Sequence, residues 1–309
     1  MNTKKTKVIV ILGCTSSGKT AWGVKLARKF KGEIISADSR QVYKGLDIGA
    51  GKDLKEYGAG KSAVPYHLLD VAAPRQKYNL AKYQKAVFRA LDEISARGRL
   101  PLIVGGSGLY LQVVVDNYNL ASTKTDIKFR EKLEKLGAGV LFKRLIKLNP
   151  KFALKLNNSE KNNSRRLARY IEIFKNESDF KPGKRPNSNY EFLIIGIDRS
   201  VEVLNKSITK RLKDRLENEN LLGEIKKLHK NGLSWKRLES FGLEYRFGAL
   251  YLQKKITYDE MIDKLTLAII DFAKRQRTWW RKWEGQGAGI RWLSDLKEAE
   301  ELVNIYIGK

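Results

Sequence analysis

Residues 13–20 read Gly13-Cys14-Thr15-Ser16-Ser17-Gly18-Lys19-Thr20, a complete G-x-x-x-x-G-K-[ST] phosphate-binding loop. An apolar, β-branched run, Val8 to Leu12, leads into it, and Ala21 to Phe30 reads as a helix. Strand, glycine-rich turn and helix in that order aim successive backbone N–H groups and the positive end of a helix dipole at one spot. In such a loop Lys19 reaches the terminal phosphates of a polyphosphate and Thr20 holds Mg2+. The motif specifies a polyphosphate ligand. It leaves open which one, and whether a phosphoryl group is what moves.

Two more stretches carry reactive groups at strand ends. The short strand Glu33–Ser36 runs into Ala37-Asp38-Ser39-Arg40-Gln41-Val42-Tyr43. Ligands of α/β sheets gather at the carboxyl ends of the strands, so Asp38 should sit near the phosphate loop. A carboxylate there either holds Mg2+ through water or acts as a general base. It is equally suited to capping the next segment. The strand Leu102–Val104 runs into Gly105-Gly106-Ser107-Gly108-Leu109-Tyr110. The glycines allow backbone to approach a ligand closely. Ser107 offers a hydroxyl, a helix N-cap, or both.

These residues need a scaffold, and the chain reads as three blocks. To about residue 118, strands alternate with helices; Leu80–Arg97 has helical periodicity through Leu80, Tyr83, Val87, Leu91 and Ile94, and Gly98 ends it. The block from about 120 to 188 is helical, polar and basic, and Pro182, Gly183 and Pro186 mark its exit. The third block resumes with a strand, Phe192–Ile197, a helix from Val201, a turn near Asn231-Gly232 and a final long helix from Tyr258 to Trp283. Alternation of this kind means an α/β fold: a P-loop NTPase-like parallel sheet core with an inserted helical arm domain. The expected division is a core from 1–119 and 190–309, with the arm at 120–189. No repeats or low-complexity tracts interrupt it.

Composition narrows the setting. The chain has 309 residues and a hydrophobic content of 42%, enough for a core. No stretch reaches the roughly 18–20 apolar residues of a membrane span. The basic opening Met1–Lys7 precedes only a short apolar segment, which reads as a first strand and not a signal peptide. The single cysteine, Cys14, excludes an internal disulfide and a cysteine-built zinc site. A cytoplasmic monomer is the expectation. Net charge is +27, and between residues 121 and 189 there are 18 Lys and Arg against 7 Asp and Glu, a net of +11. A solvated, lysine-rich surface is one reading of this charge; a polyanionic partner is the other. Basic residues also interleave with Trp235, Phe241, Tyr245, Phe247, Trp279, Trp280 and Trp283. That pattern suits unstacked bases or an ordinary helix core.

Over about residues 7–293 the chain resembles the tRNA dimethylallyltransferase (tRNA isopentenyltransferase) family. The resemblance is carried by the phosphate loop, by Ile35 through Gly49, by Pro65-Tyr66-His67-Leu68-Leu69-Asp70, by Val104–Leu111, by Arg165-Arg166-Leu167-Ala168-Arg169, and by Ala273-Lys274-Arg275-Gln276-Arg277-Thr278-Trp279. It implies transfer of a dimethylallyl group from dimethylallyl diphosphate to N6 of the adenine 3′ of the anticodon, in tRNAs reading U-initial codons. Gly13–Thr20 would then bind the diphosphate leaving group, with Mg2+ on Thr20. Asp38 matches the general base. Ser107 stands where the family usually has Thr, and Arg211 matches an arginine that clamps the diphosphate. The implied tRNA-lining set is Asp38, Ser39, Arg40, Gln41, Ser107, Arg130, Asn163, Ser164, Arg165, Arg166, Leu167, Arg169, Tyr245, Arg246, Lys274, Arg275, Gln276 and Arg277. The basic arm would grip the anticodon stem.

The chain departs from the family pattern in places. Gly-Pro-Thr is Gly13-Cys14-Thr15, and Gly-Thr-Ala-Lys-Pro is Gly49-Ala50-Gly51-Lys52-Asp53. Where the family has Gly-Tyr-Arg/Lys-Glu/Gln, the chain reads Glu244-Tyr245-Arg246-Phe247, which bears on the choice of tRNA. Three rival classes share parts of the pattern. A kinase would transfer phosphate from ATP and needs no basic arm. An enzyme prenylating free adenine nucleotides needs neither the arm nor Ala273–Trp280. A non-catalytic RNA-binding protein would be expected to lack Asp38 or Lys19.

Overall fold

The computed structural model describes residues 5–121 and 126–308; Met1–Lys4 of the basic opening fall outside them. The chain divides into two compact units, Met1–Asn117 with Pro186–Lys309, and Tyr118–Arg185.

The larger unit is built on six parallel strands: β1 (Thr6–Leu12), β2 (Gly32–Ser36), β3 (Tyr66–His67), β4 (Leu100–Gly105), β7 (Tyr190–Ile197) and β8 (Ile290–Leu293). β5 (Tyr118–Asn119) and β6 (Gly183–Lys184) belong to the smaller unit. The sheet order is β3-β2-β4-β1-β7-β8. Strands covered on both faces read as continuous apolar runs, and Val8 to Leu12 are all fully buried. Register brings three strand ends level: Ser36 pairs with Val104, and Gly105 with Leu12. The turns that begin at Ala37, Gly106 and Gly13 are therefore neighbours.

The helices Lys19–Lys29 and Leu80–Ala96 match the sequence periodicity within two residues at each end. The helix Tyr258–Glu284 opens on a capping box between Thr257 and Glu260. The sequence reads it as the final helix, but β8 and a further helix, Leu296–Ile307, follow it. β3 and β8, with two and four residues, are too short to show a period of their own. Trp280 and Trp283 are buried in the larger unit, at 0% and 1% exposure, which is the helix-core alternative for those rings. No helix of the described residues is long and apolar enough to cross a membrane.

The smaller unit packs the helices Ile127–Glu134, Ala138–Leu148, Pro150–Lys155, Asn158–Lys161 and Ser164–Asn176 around Leu133, Leu141, Leu145, Leu167, Ile171 and Phe174. The antiparallel pair β5–β6 joins its two ends.

Candidate active site

The phosphate loop takes the shape its sequence demands. Ser16 and Gly18 have positive φ, 61° and 89°, the curled backbone that turns N–H groups inward. Gly18 caps the helix Lys19–Lys29 without a side-chain cap, so the free N–H groups of the first turn remain available to a ligand. Lys19 Nζ donates to the Cys14 carbonyl at 2.8 Å, lying back over the loop. Burial, and then the Arg211 charge, hold its pKa down at about 8. Burial pushes the Cys14 thiol up, and Sγ donates to the Ala273 carbonyl at 3.5 Å, an environment that disfavours the thiolate. Ser17 Oγ is buried with no partner among the described residues.

The next two turns lace onto one another. Ala37 N donates to the Val104 carbonyl at 2.8 Å, and Ser107 N donates back to the Ala37 carbonyl at 3.2 Å. A Cβ on Gly105 would run into the Ala37 carbonyl, so this approach requires glycine. Ser107 precedes the helix Gly108–Val115, but its side chain does not cap it; Oγ accepts from Ser39 N at 3.1 Å. Asp38 takes the capping role the sequence allowed and keeps one oxygen free of it. Its Oδ1 accepts from Arg40 N at 2.8 Å and Gln41 N at 3.4 Å, closing the turn. Its Oδ2 has no hydrogen-bond partner among the described residues, and Asp38 lines an open cleft at the strand ends.

That cleft also takes Thr15, Lys19, Thr20 and Arg211. Arg211 makes no hydrogen bond or ion pair to a described residue; burial first and Arg215 second hold its pKa down. Val104, Leu243 and Phe272 supply apolar wall.

Several residues implied as RNA-lining make hydrogen bonds within the protein. Gln276 accepts from Thr15 N at 2.8 Å and donates to the Gly106 carbonyl at 2.7 Å, bridging two of the three turns from 6% exposure. Gln41 Nε2 donates to the Gly51 carbonyl at 2.7 Å, and its Oε1 accepts from Ser36 at 2.7 Å. Tyr245 is fully buried, and its hydroxyl donates to Glu224, whose carboxylate also accepts from the N–H groups of Asp47, Ile48 and Gly49. Arg277 donates to the Arg199 carbonyl at 2.6 Å. Ser39, Arg246, Lys274 and Arg275 remain exposed. In the smaller unit, Leu167 is core and Asn163 caps the helix that begins at Ser164. Arg130 and Arg169 pair with the buried Glu172, while Arg165 and Arg166 are exposed.

Sequence reasoning missed two acids and one buried lysine. Asp53 lines the cleft, with φ at 48°, just after the positive-φ Gly51. Glu244 lines it too, and the sequence marked that position only as a departure. Lys52, at 1% exposure, donates to Asp47, Asp70 and the Tyr43 carbonyl, fastening the Gly49 stretch to the Pro65–Asp70 stretch.

A phosphate loop on the central β1 of a parallel sheet, with its cleft at the strands' carboxyl ends, defines a P-loop α/β protein. Comparison with known proteins narrows this. The family model "IPP transferase" matches residues 41–283. The chain is 43% identical over 289 residues to tRNA dimethylallyltransferase 1 of Syntrophus aciditrophicus, covering 93% of each. It is 44% identical over 303 residues to tRNA dimethylallyltransferase 2 of Citrifermentans bemidjiense, covering 96% of this chain and 94% of that protein. Among solved structures, the full-length tRNA isopentenylpyrophosphate transferase of Bacillus halodurans superposes with a TM-score of 0.69 at 32% identity, covering 99% and 96% of the two chains. A eukaryotic dimethylallyltransferase acting on tRNA gives 0.75 at 25% identity, over 98% of this chain and 80% of that one. The chain belongs to the IPP transferase family.

Proposed function

We propose that this protein transfers a dimethylallyl group from dimethylallyl diphosphate to the exocyclic N6 of the adenine 3′ of the anticodon, position 37, in tRNAs reading U-initial codons. Beyond family membership, the observation that carries the reading is the cleft itself. A phosphate loop, an uncommitted Arg211 and the open oxygen of Asp38 share it. In the reaction, the bond between the dimethylallyl C1 and the diphosphate oxygen breaks and the N6–C1 bond forms. The N6 proton passes to Asp38, and diphosphate leaves. Lys19, the loop N–H groups and Arg211 stabilise the charge that builds on the leaving group. Ser107 Oγ has donor capacity left for the departing oxygen, since it is an acceptor toward Ser39 N. Val104, Leu243 and Phe272 suit a five-carbon chain and limit water, which competes with the base as nucleophile. Thr20 and Asp53 bring the hard oxygen donors that Mg2+ favours. Bound there, Mg2+ would supply further charge neutralisation on the diphosphate.

The target base must leave the anticodon stack to reach such a cleft. The smaller unit, with its basic excess, is the proposed grip on the anticodon stem. Incubation with dimethylallyl diphosphate, Mg2+ and total tRNA, followed by mass spectrometry of the nucleosides, should reveal N6-dimethylallyladenosine. Transfer of phosphate from ATP, or prenylation confined to free nucleotides, would replace this reading with one of its rivals.

A further inference from the structure

Glu244 is a buried carboxylate that the reaction above does not use. It stands in the first turn of the helix Leu243–Leu252, where the positive end of the helix dipole favours an acid, and it is 4% exposed. Its Oε1 accepts from Arg215 Nη1 at 3.1 Å, and its Oε2 from Arg40 Nη1 at 3.5 Å. We propose that Glu244 is a positioning residue for the transfer reaction, holding Arg215 and Arg40 so that Arg211 and the Asp38 turn face the cleft correctly; this rests on the function proposed above.

The geometry on each side of Glu244 supports this. Arg215 lies one helical turn beyond Arg211 on the helix Val201–Glu217, so the two guanidiniums share a face. Both converge on Gly51, where a Cβ would strike the Nη2 of Arg215 and lie 3.1 Å from that of Arg211. Arg215 is 3% exposed, and its Nη2 has no partner among the described residues. Among those residues, its charge is therefore fixed by Glu244 alone. With Glu244 removed, a buried and unpaired cation would sit beside the arginine that is to meet the diphosphate, and one of the two would have to move. On the other side, Arg40 is held twice: its backbone N–H by Asp38 Oδ1, and its guanidinium by Glu244. The turn that aims Asp38 is thus tethered to the same carboxylate as Arg215. Small errors in aim are costly, since a displacement of about 1 Å can reduce a rate roughly 100-fold.

The test compares wild type with Glu244→Gln, Glu244→Asp and the neutral pair Glu244→Gln with Arg215→Gln. Three quantities are read: single-turnover transfer to tRNA, affinity for inorganic diphosphate by calorimetry, and melting temperature. Glu244→Gln should slow transfer roughly 10–100-fold. Its diphosphate affinity should fall by less than its rate, because Lys19 and the loop N–H groups still hold the anion. Glu244→Asp keeps the charge and shortens the reach, so it should also slow transfer, with melting close to wild type. Where Glu244→Gln is too unstable to assay, Glu244→Asp carries the test. Removing Arg215 together with the acid should recover part of the lost rate. Wild-type rates in both single variants overturn the proposal. So does a fall of rate matched by an equal fall of diphosphate affinity and a large fall of melting temperature in both single variants, the pattern of a purely structural residue. If the wild type transfers nothing to tRNA, the proposed reaction fails and this inference with it; if the wild type transfers and the variants match it, only this inference fails.

Discussion

Glu172 in the smaller unit and Glu244 in the larger are both carboxylates buried at 4% exposure or less, and each faces two arginines. Their surroundings differ in how completely the charges are matched. Glu172 accepts from Arg130 at 2.6 Å, from Arg169 at 2.5 Å and from the backbone of Asp126 at 2.6 Å. Burial works to raise its pKa, but the hydrogen bonds from Arg130 and Arg169 outweigh that and hold it below the usual carboxylate range. That cluster is closed, and its work is to fasten the helix Ser164–Asn176 to the segment that opens at Asp126. Around Glu244 the matching stops short: Arg215 keeps an unpartnered Nη2, and the neighbouring Arg211 has no partner among the described residues. Breaking a buried pair is costly, so a buried cation left incompletely matched beside a cleft points to an anionic ligand there.

The sharpest way to break this comparison is to remove one group from each side. Asp38→Ala should cost transfer about 10²–10⁴-fold, the usual contribution of a general base, with tRNA affinity and melting temperature little changed. Single-turnover prenylation beside a filter-binding titration measures both; near-wild-type turnover would leave Asp38 only its role in closing the turn. Glu172→Ala should do the reverse. It leaves two arginines facing an empty site, and breaking a buried pair costs about 3–5 kcal/mol. Hydrogen exchange should then show lost protection in Ser164–Asn176, while β1 and β4 stay protected. Unchanged protection in that helix would mean that Glu172 is not what fastens it.

The same contrast explains what could be read from residues alone. The phosphate loop, Asp38 and Ser107 were legible because each site is a contiguous stretch at the end of a strand whose apolar run announces it. Gln276 was not legible as a bridge. It sits mid-helix, and nothing local to it indicates that its amide spans Thr15 and Gly106, well over 100 residues away in sequence. Glu172 was hidden for a related reason: on an amphipathic basic helix an acid reads as a solvated counter-charge, and only packing shows it buried. Glu244 was visible as a departure from a pattern, but its meaning depends on Arg215 and Arg40, which come from two other elements. Short edge strands escaped because two to four residues carry no periodicity.

A smaller effect concerns pH and sharpens the cleft side. Burial and the Arg211 charge depress Lys19 to about 8. A cation whose pKa is depressed is fully charged below that value and loses its charge as pH rises through it. Diphosphate favours the charged form, so affinity for inorganic diphosphate should be full below about pH 8. Above it, affinity should fall by up to about tenfold per pH unit. Lys19→Arg should flatten the fall, because guanidinium stays charged across that range. Calorimetry between pH 7 and 9.5 checks this, and an equal decline in the Arg variant would assign the titration to another group.

The smallest expected effect lies on the exposed side of the smaller unit, where charge acts by number more than by placement. Arg165 is 87% exposed in its side chain, and its nearest acid, Glu134, is 3.7 Å away; Arg166 stands 4.0 Å from Glu160. Pairs this loose and exposed contribute little to stability, so reversing both charges should leave the unit folded. Arg169 is a different case, since its pairing with Glu172 would turn its reversal into a test of folding. If Arg165 and Arg166 meet RNA phosphates, Arg165→Glu with Arg166→Glu should flatten the slope of log K against log salt. The slope should change by about 0.7–0.9 for each phosphate that is no longer neutralised. Inorganic diphosphate affinity should not move, because every residue lining the cleft lies in the other unit. An unchanged slope would mean that these two arginines do not meet the polymer, and that the basic excess acts through other residues. A parallel loss of diphosphate affinity would show that the two units are coupled, and would undo the division between matched and unmatched charge on which the comparison rests.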